Sequence, residues 1–235
     1  MKRVRIGVLV SGSGSNLQAI IDRIEDGQLP AEIKVVVSNN PQAYALERAA
    51  HHGLAVRVMK HGDFCRREEF DRQAVSLLKS LDVELVVLAG FMRVLTPVFL
   101  RAFPRQLMNI HPALLPAFPG LHVQKQALEY GVKFAGCTVH FVDEGVDTGP
   151  IIIQAVVPVW DDDTEDTLAA RILEEEHRIY PQAIRLYAEG RLSVKGRRVT
   201  VAGGKGESSA LHNPAVTVSA GAEEGQGNGE REETK

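Results

Sequence analysis

The feature that most constrains the fold is a regular alternation of short, continuous apolar runs with longer segments of helical period. The apolar runs are VRIGVLV at 4–10, IKVVVSN at 33–39, AVRVM at 55–59 and ELVVLAG at 84–90. Such runs are typical of strands covered on both faces. In the segments 15–27 and 68–82, apolar residues recur three and four positions apart, as on one face of a helix. Strands alternating with helices predict an α/β fold with a doubly wound, mostly parallel sheet and helices on both faces.

The second half of the chain has a different pattern. The runs GCTVHFVD at 136–143 and IIIQAVVPV at 151–159 are joined by the turn-rich segment EGVDTGP, which predicts an antiparallel hairpin. A long helical segment follows Thr164, whose hydroxyl suits an N-cap, and ends near Gly190. The segment RLSVKGRRVTV at 191–201 predicts a second, small hairpin.

The composition of the chain changes sharply after Val201. Residues 203–235 contain seven glycines, and their three positive and six negative residues account for the net charge of −3 of the whole chain. A segment without Phe, Tyr or Trp buries too little apolar surface to offset the entropy lost on ordering it. The sequence therefore predicts one domain at 1–202, followed by a disordered, acidic, glycine-rich tail at 203–235.

Charge and composition argue against several classes of function. The part before the tail is near neutral, which does not provide the basic face that nucleic-acid binding needs. No stretch approaches the roughly 18 apolar residues of a membrane span, and the run at 6–10 is too short for a secretory signal. We therefore expect a cytoplasmic protein that binds neither nucleic acid nor membranes. Cys65 and Cys137 have no metal-type spacing, and no H-E-x-x-H motif occurs, so we expect reduced thiols and no metal.

Two glycines separate the first strand from the first helix in VSGSGSNLQAII at 10–21. Glycine lets the main chain approach a ligand closely, and the free N–H groups of a helix N-terminus favour an anion such as phosphate. The third glycine of a dinucleotide fingerprint is replaced by Leu17, and the lysine motif of a P-loop is absent. A monophosphate is therefore the favoured ligand, and a tight turn without a ligand is the alternative.

A polar pair lies on an otherwise apolar strand in LMNIHPALLPAFPG at 107–120. Alternation places Asn109 and His111 on the same face near the carboxyl end of a strand, where ligands bind in open α/β sheets. Pro112 ends the strand, and two further prolines stiffen the loop. Asp147 lies in the glycine-flanked segment EGVDTGP, from which its carboxylate could reach the imidazole and favour the imidazolium. We expect the three side chains to converge; the alternative is a buried pair satisfied by backbone groups.

Five motifs together resemble the phosphoribosylglycinamide formyltransferase family, the folate-dependent transformylases of purine synthesis. They are SGSGSNLQAI, AGFMRVL, NIHPALLPAFPG, GCTVHFVDEGVDTGPII and EEEHRIYP, in the family's order between about Ile6 and Leu192. The resemblance implies a formyltransferase fold that transfers a formyl group from 10-formyltetrahydrofolate, the co-substrate, to the glycine amine of 5-phosphoribosylglycinamide. It further implies small-molecule substrates, no metal, and a monomer or a homodimer.

The resemblance also implies a role for each matching residue. The family's catalytic trio matches Asn109, His111 and Asp147. Its folate site matches Arg67, Met92, Arg93, Val94, Leu95, Asn109, Asp143, Glu144, Gly145, Val146 and Asp147. Its acceptor site matches Gly14, Ser15, Asn16, Leu173, Glu174, Glu175 and Glu176, of which the first three would hold the phosphate. The domain would thus consist of an N-terminal phosphate-binding half and a C-terminal folate half.

The trio suits this reaction chemically. An amine that attacks the formyl carbon creates a tetrahedral species with negative charge on oxygen, to which the Asn109 amide and a protonated His111 can donate. Asp147 would stabilise the imidazolium and help to remove the amine proton. Met92, Val94 and Leu95 would supply apolar walls for a flat pterin ring, and ordinary core packing is the alternative for that segment.

Three other hypotheses remain open. A formyltetrahydrofolate hydrolase is expected to carry a regulatory domain before the first strand, which here begins at Val4. A methionyl-tRNA formyltransferase is expected to carry a basic C-terminal module, whereas an acidic segment follows Val201. A nucleotide-binding regulatory protein without catalysis would not depend on Asn109 or His111.

Overall fold

The computed structural model describes residues 3–203 together with Leu211 and Asn213. These residues form a seven-stranded sheet with flanking helices and a separate two-stranded sheet. The predicted acidic tail lies outside the described residues, apart from Gly203, Leu211 and Asn213. Within the described part of the chain, no helix is both long enough and apolar enough to cross a membrane.

Strands and helices alternate along the chain as the sequence pattern predicts. The strands are β1 (Val4–Val10), β2 (Ala31–Ser38), β3 (Val56–Val58), β4 (Leu85–Leu88), β5 (Leu107–His111), β6 (Phe134–Phe141), β7 (Ile151–Pro158), β8 (Leu192–Lys195) and β9 (Arg198–Val201). The helices are α1 (Ser15–Glu25), α2 (Tyr44–His51), α3 (Arg67–Ser80), α4 (Pro97–Ala102), α5 (Val123–Tyr130) and α6 (Glu165–Ala188), with a short 3-10 helix at His61–Asp63.

The large sheet has the strand order β3-β2-β1-β4-β5-β6-β7. The five strands from β3 to β5 pair in parallel, whereas β6 is antiparallel to both β5 and β7. The small sheet is the antiparallel hairpin β8-β9. The predicted fold class, a mostly parallel doubly wound sheet with an antiparallel hairpin in the C-terminal half, is confirmed.

Each face of the sheet is covered by its own set of helices. Residues of α1, α2, α5 and α6 pack with the sheet in one buried cluster, which includes Met108 and Ile110 of β5. Residues of α3 and α4 pack against the opposite face, in a second cluster that includes Leu107. Full burial of one such aliphatic side chain contributes roughly 1.5–3 kcal/mol. The strict alternation along β5 is therefore a consequence of packing on two faces.

The β3 strand differs from the other predicted buried strands. Its three residues, Val56–Val58, are all exposed, although the sequence run AVRVM suggested a strand covered on both faces. The strand lies at the edge of the sheet and pairs only with β2. An edge strand has a neighbour on one side only, so apolar composition alone overstates its burial.

Two helix starts explain how the first and last helices are set on the sheet. The α1 helix begins after Gly14, whose φ of 73° lies in the left-handed region that glycine adopts without strain. The α6 helix begins after the predicted N-cap Thr164, whose hydroxyl accepts the backbone N–H of Thr167 in a reciprocal capping box. The helix continues through Pro181, which is buried within it.

Candidate active site

A cluster of polar side chains lies on β5 and β6, on the sheet face that α3 and α4 cover further along the sheet. Asn109 is the register partner of His140, and His111 is the partner of Thr138. Directly paired residues of neighbouring strands project to the same side of the sheet. Four polar side chains therefore share one small area of the sheet surface.

His111 has an acceptor next to each ring nitrogen. Its Nε2 lies 2.8 Å from the carbonyl oxygen of Phe118, in the proline-rich loop that follows β5. Its Nδ1 lies 3.4 Å from Oδ2 of Asp147. An imidazole carries a hydrogen on both nitrogens only in its imidazolium form. The surroundings of this ring, which is 4% exposed, therefore suit a positive charge.

Asp147 reaches this cluster from the loop between β6 and β7. Its backbone φ is 54°, in the left-handed region that Asp tolerates better than most residues. The carboxylate accepts the backbone N–H of Gly120 at 2.9 Å and lies 3.8 Å from Nε2 of His140. The expected convergence of Asn109, His111 and Asp147 on one area is thus present in the structure, and the proline loop and the 143–149 loop are its walls.

His140, which was not among the predicted site residues, completes the cluster. Its Nδ1 lies 2.9 Å from the carbonyl oxygen of Phe141, so this nitrogen carries the hydrogen. Its Nε2 is then free to accept a hydrogen from Nδ2 of Asn109, 3.2 Å away. Burial lowers the pKa of His140, which keeps the ring neutral and in this tautomer. His140 thereby fixes the orientation of the Asn109 amide.

The loop 143–149 is stabilised by its own polar groups. Asp143 Oδ1 accepts the hydroxyl of Thr148 at 2.6 Å and the backbone N–H of Gly145 at 3.1 Å. A Cβ at Gly149 would lie 1.7 Å from the carbonyl oxygen of Phe141, so only glycine fits at the base of this loop. Of the residues predicted for the folate site, Glu144 and Val146 are exposed here.

The glycine loop after β1 depends on a close contact between two backbones. A Cβ at Gly14 would lie 2.5 Å from Cβ and 2.7 Å from Cα of Ala45 in α2. Ala45 in turn donates its N–H to the carbonyl of Gly12 at 3.1 Å. The loop therefore turns tightly into α1, and the N–H groups of the first turn from Ser15 onward have no intrahelical acceptor. This is the geometry that binds anions at helix N-termini.

Asn16 and Glu176 form a buried pair 160 residues apart in the sequence. Nδ2 of Asn16 donates to Oε2 of Glu176 at 2.7 Å, and both side chains are less than 10% exposed. Burial raises the pKa of Glu176, and the hydrogen bond from Asn16 partly offsets that rise. Asn16 Oδ1 is buried without a hydrogen-bond partner among the described residues. The pair thus joins the predicted phosphate loop to the predicted glycinamide segment of α6.

The other predicted residues of α6 lie on different sides of the helix. Leu173 is half-buried and Glu174 is exposed, while Glu175 forms an ion pair with Arg178 at 2.9 Å. Residues at adjacent positions of a helix point about 100° apart, so four consecutive residues cannot all face one ligand. Within this segment, Glu176 is the carboxylate that faces the phosphate loop.

The segment that follows β4 exposes two large apolar side chains. Met92 is 68% exposed and Val94 is 54% exposed, whereas Leu95 is buried in the core. The guanidinium of Arg93 does not extend into solvent but lies over the ring of Phe70, 4.1 Å from its centroid. Arg67 donates from Nη2 to the carbonyl oxygen of Val94. Leu95 and the Arg93 side chain therefore contribute to packing in this structure.

Ser11 links this segment to the glycine loop and was not among the predicted site residues. Its hydroxyl accepts the N–H of Met92 at 2.8 Å and donates to Oδ1 of Asn39 at 2.6 Å. Its backbone N–H donates to the carbonyl of Gly90 at 3.1 Å. The serine-rich composition of the loop was the available signal, but only the position of β4 beside β1 shows which serine makes the link.

Comparisons with known proteins show which family this chain resembles. The family described as formyl transferase matches residues 4–184. The phosphoribosylglycinamide formyltransferase of Escherichia coli (strain K12) is 45% identical over 191 residues, which cover 81% of this chain and 90% of that protein. The crystal structure of glycinamide ribonucleotide transformylase 1 from Symbiobacterium toebii has 55% identity and a TM-score of 0.84, covering 85% of this chain and 94% of that chain.

One relative is much longer than this chain and matches it over a small part of its own length. The trifunctional purine biosynthetic protein adenosine-3 of Drosophila melanogaster is 51% identical over 191 residues, and the matched part is 80% of this chain but only 14% of that protein. The sequence motifs, the fold and these matches agree, and the chain belongs to the formyl transferase family.

Proposed function

We propose that the chain transfers the formyl group of 10-formyltetrahydrofolate to the glycine amine of 5-phosphoribosylglycinamide. This is the step of purine biosynthesis for which its bacterial relatives are named. One observation carries the proposal: the Asp147 carboxylate lies 3.4 Å from the His111 ring, beside the Asn109 amide. An amide donor, a ring suited to positive charge and a carboxylate are the groups that formyl transfer to an amine needs.

The acceptor binds between the glycine loop and α6. Its phosphate contacts the backbone N–H groups of Gly14, Ser15 and Asn16, where the helix dipole favours an anion. Its glycinamide end lies against the Glu176 side of α6, with Leu173, Glu174 and Glu175 on the same helix. The support for this placement is the hydrogen bond between Asn16 and Glu176, which joins the two ends of the site.

The folate co-substrate binds between two segments that expose apolar side chains. Met92, Arg93, Val94 and Leu95 form one wall, with Arg67 at its edge, and Asp143 to Asp147 form the other. The support for this placement is exposure: Met92, Val94 and Val146 are each more than half exposed, and exposed apolar patches are typical of ligand-binding grooves. Asn109 borders the formyl group.

The reaction forms one bond and breaks another at the formyl carbon. The amine nitrogen of the acceptor forms a bond to this carbon, and the carbonyl electron pair moves to oxygen. The amine nitrogen loses a proton to Asp147, directly or through water. When the carbonyl re-forms, the bond from carbon to N10 of the folate breaks, and this proton passes from Asp147 to N10 as tetrahydrofolate leaves.

The trio stabilises the charge that develops on oxygen. The Asn109 amide has two N–H groups, and since His140 accepts only one, the other donates to the oxyanion. Each such donor contributes about 3 to 4 kcal/mol to lowering the barrier. The His111 imidazolium adds positive charge, and Asp147 keeps that charge in place. The amine is already a nucleophile, so the mechanism uses no enzyme nucleophile and no metal.

Turnover with and without the acceptor tests this function. The absorbance change on loss of the formyl group from 10-formyltetrahydrofolate should depend on added phosphoribosylglycinamide. Equal turnover without the acceptor would identify a hydrolase, and no turnover in either condition would identify a binding protein.

We further propose that the enzyme is cytoplasmic and acts as a monomer or homodimer on small molecules alone. We also propose that residues 1–202 form one catalytic unit; the segment predicted to follow it lies outside the described residues, apart from Gly203, Leu211 and Asn213.

A further inference from the structure

A buried carboxylate outside the proposed catalytic trio lies behind the folate side of the site. Asp71, in α3, is 1% exposed, and its helix also contributes Phe70 and Leu78 to the apolar cluster on this face of the sheet. Charged side chains are almost never this deeply buried unless they are paired or hydrogen-bonded. The proposed reaction does not use Asp71, so another role must account for it.

The contacts of Asp71 lead directly to the segment that follows β4. Its Oδ2 accepts the backbone N–H of Thr96 at 2.7 Å. It also lies close enough to Arg93 to act on that guanidinium: burial lowers the pKa of Arg93, and the nearby Asp71 carboxylate opposes this. The Asp71 carboxylate thus anchors Thr96, at the C-terminal end of the segment, and lies near the opposite charge of Arg93 in its middle.

Asp71 acts together with two neighbours on α3. Positions 67, 70 and 71 are three and four residues apart, which places them on one face of the helix. Arg67 donates to the carbonyl of Val94, the Phe70 ring supports the guanidinium of Arg93, and Asp71 accepts from Thr96. Three consecutive contacts from one helix face therefore fix the path of residues 93–96.

The region around Asp71 also contains buried polar atoms that have no hydrogen-bond partner among the described residues. The Nε of Arg93 and the Oγ1 of Thr96 are buried without a hydrogen-bond partner among the described residues, as is Oδ1 of Asp71 itself. Buried polar atoms without partners are costly, so this arrangement has little polar stabilisation to spare. Loss of the one bond between Asp71 and Thr96 would leave the segment without its anchor.

We propose that Asp71 is a positioning residue that holds residues 92–96 in the path that the folate co-substrate requires. This inference rests on the proposed function, because it takes that segment as the folate wall. Asp71 touches neither substrate; it acts through Thr96 and Arg93. Loss of Asp71 should therefore weaken binding of the folate donor but not binding of the acceptor, which lies between the glycine loop and α6.

Two substitutions of Asp71 test the proposal by a split between the two KM values. Asp71→Leu keeps the branching at Cγ but removes the acceptor for Thr96, and it should raise KM for 10-formyltetrahydrofolate about tenfold, since small displacements at a site have effects of this size or more. KM for phosphoribosylglycinamide should stay within about twofold. Asp71→Asn keeps one acceptor oxygen and should show a smaller rise, so it also serves if the leucine variant does not fold.

Two matched controls separate positioning from loss of stability. Leu78→Ala removes buried volume from the same helix and the same cluster, so it should lower Tm without changing KM for the folate donor. Ser76→Ala changes an exposed side chain on the same helix, outside the folate segment, so it should leave both KM values unchanged. A rise in folate KM with Leu78→Ala equal to that with Asp71→Leu would overturn the proposal.

Hydrogen exchange provides a readout that does not depend on the reaction. The peptide that covers 92–96 should exchange faster in Asp71→Leu than in the unsubstituted chain or in Leu78→Ala. Unchanged exchange there would refute the anchoring role even if the enzyme is fully active. Failure of the unsubstituted chain to transfer the formyl group would instead refute the proposed function, while faster exchange would still support the anchor.

Discussion

One face of the sheet has opposite properties in two halves, which we define as the parallel half, from β3 to β4 in the strand order, and the antiparallel half, from β5, which pairs in antiparallel with β6, to β7. A line of register partners crosses four strands on this face, from Leu9 to Leu88 and on to Asn109 and His140. The two leucines are buried beneath α3 and α4. The histidine instead faces the loop that carries Asp147, and the asparagine pairs with this histidine.

The difference follows from what covers each half of the face. A helix covers a strand with apolar side chains, so its partners on the strand must also be apolar. A loop brings backbone carbonyls and N–H groups, such as those of Phe118 and Gly120, which can satisfy buried polar side chains. In the proposed site, the parallel half consequently supplies mainly backbone groups and the antiparallel half supplies the reactive side chains.

The largest expected effect tests the side chains of the antiparallel half. Asp147→Asn should lower kcat about a hundredfold or more, because the amide can neither balance the His111 charge nor accept the amine proton. Folding should persist, since the asparagine oxygen can still accept the N–H of Gly120. Steady-state kinetics together with thermal unfolding measure both quantities.

A surface carboxylate provides the control for this substitution. Asp161 is fully exposed and pairs with Lys133 at 2.9 Å, so Asp161→Asn should leave kcat unchanged. Near-normal turnover by the Asp147 variant would remove that residue from the mechanism and weaken the contrast between the two halves.

The next effect tests the backbone of the parallel half. Gly14→Val should raise KM for phosphoribosylglycinamide at least about tenfold, because the new Cβ would collide with Ala45 and the positive φ would be strained. KM for the folate donor should change much less. Gly12→Ala is the matched variant: a Cβ there has open space, so its effect on both constants should be small. Equal effects of the valine on both substrates would contradict the phosphate placement.

A third effect concerns Glu176, a charged side chain whose partner, Asn16, belongs to the parallel half. Glu176→Gln should raise KM for the acceptor about tenfold, because an amide attracts the amine end less than a carboxylate does. The hydrogen bond from Asn16 can be kept by the amide oxygen, so little stability should be lost. The exposed neighbour Glu174→Gln should have a smaller effect.

The same substitution makes a prediction about pH. Burial raises the pKa of Glu176 above its ordinary value, so between the two pKa values the folded chain binds more protons at this site than the unfolded chain. Its contribution to stability is therefore present at low pH and is lost as pH rises through the raised pKa. The Tm of Glu176→Gln, relative to the unsubstituted chain, should rise as pH increases from the ordinary pKa of a glutamate, about 4.3, through the raised pKa of Glu176. A difference in Tm that does not change with pH would contradict a raised pKa of Glu176.

The smallest effect concerns the hairpin β8-β9, which lies beyond the region matched by the family. Arg197 donates to the carbonyl oxygen of Thr148 at 2.7 Å, next to Asp147. Arg197→Ala should lower kcat about two- to fivefold, since an exposed hydrogen bond contributes about 1 kcal/mol. Arg198→Ala removes the same charge from the same hairpin and should have no effect on kcat. Equal rates for the two variants would show that the hairpin does not support the Asp147 loop.

Much of the fold could be predicted because it depends on local patterns. The apolar runs and the helical periods fixed the alternation of elements, and the proline after His111 marked the end of β5 at the residue where it ends. The same pattern misjudged β3, since exposure at a sheet edge depends on strand order and not on composition. The sequence did not indicate the proposed role of Asp71, because a carboxylate in an amphipathic helix is normally solvent-exposed, whereas Asp71 is buried.

By itself the sequence determined which residues share a face, where a chain reversal needs glycine, and which side chains are able to carry the chemistry. These properties follow from backbone geometry and from the residue types within a few positions of each other. Only the tertiary structure decided that β4 lies between β1 and β5, that Asn16 meets Glu176, and that Asp147 reaches His111. Such contacts join residues far apart in the chain, and they depend on the order in which strands pair and on how both faces of the sheet are covered.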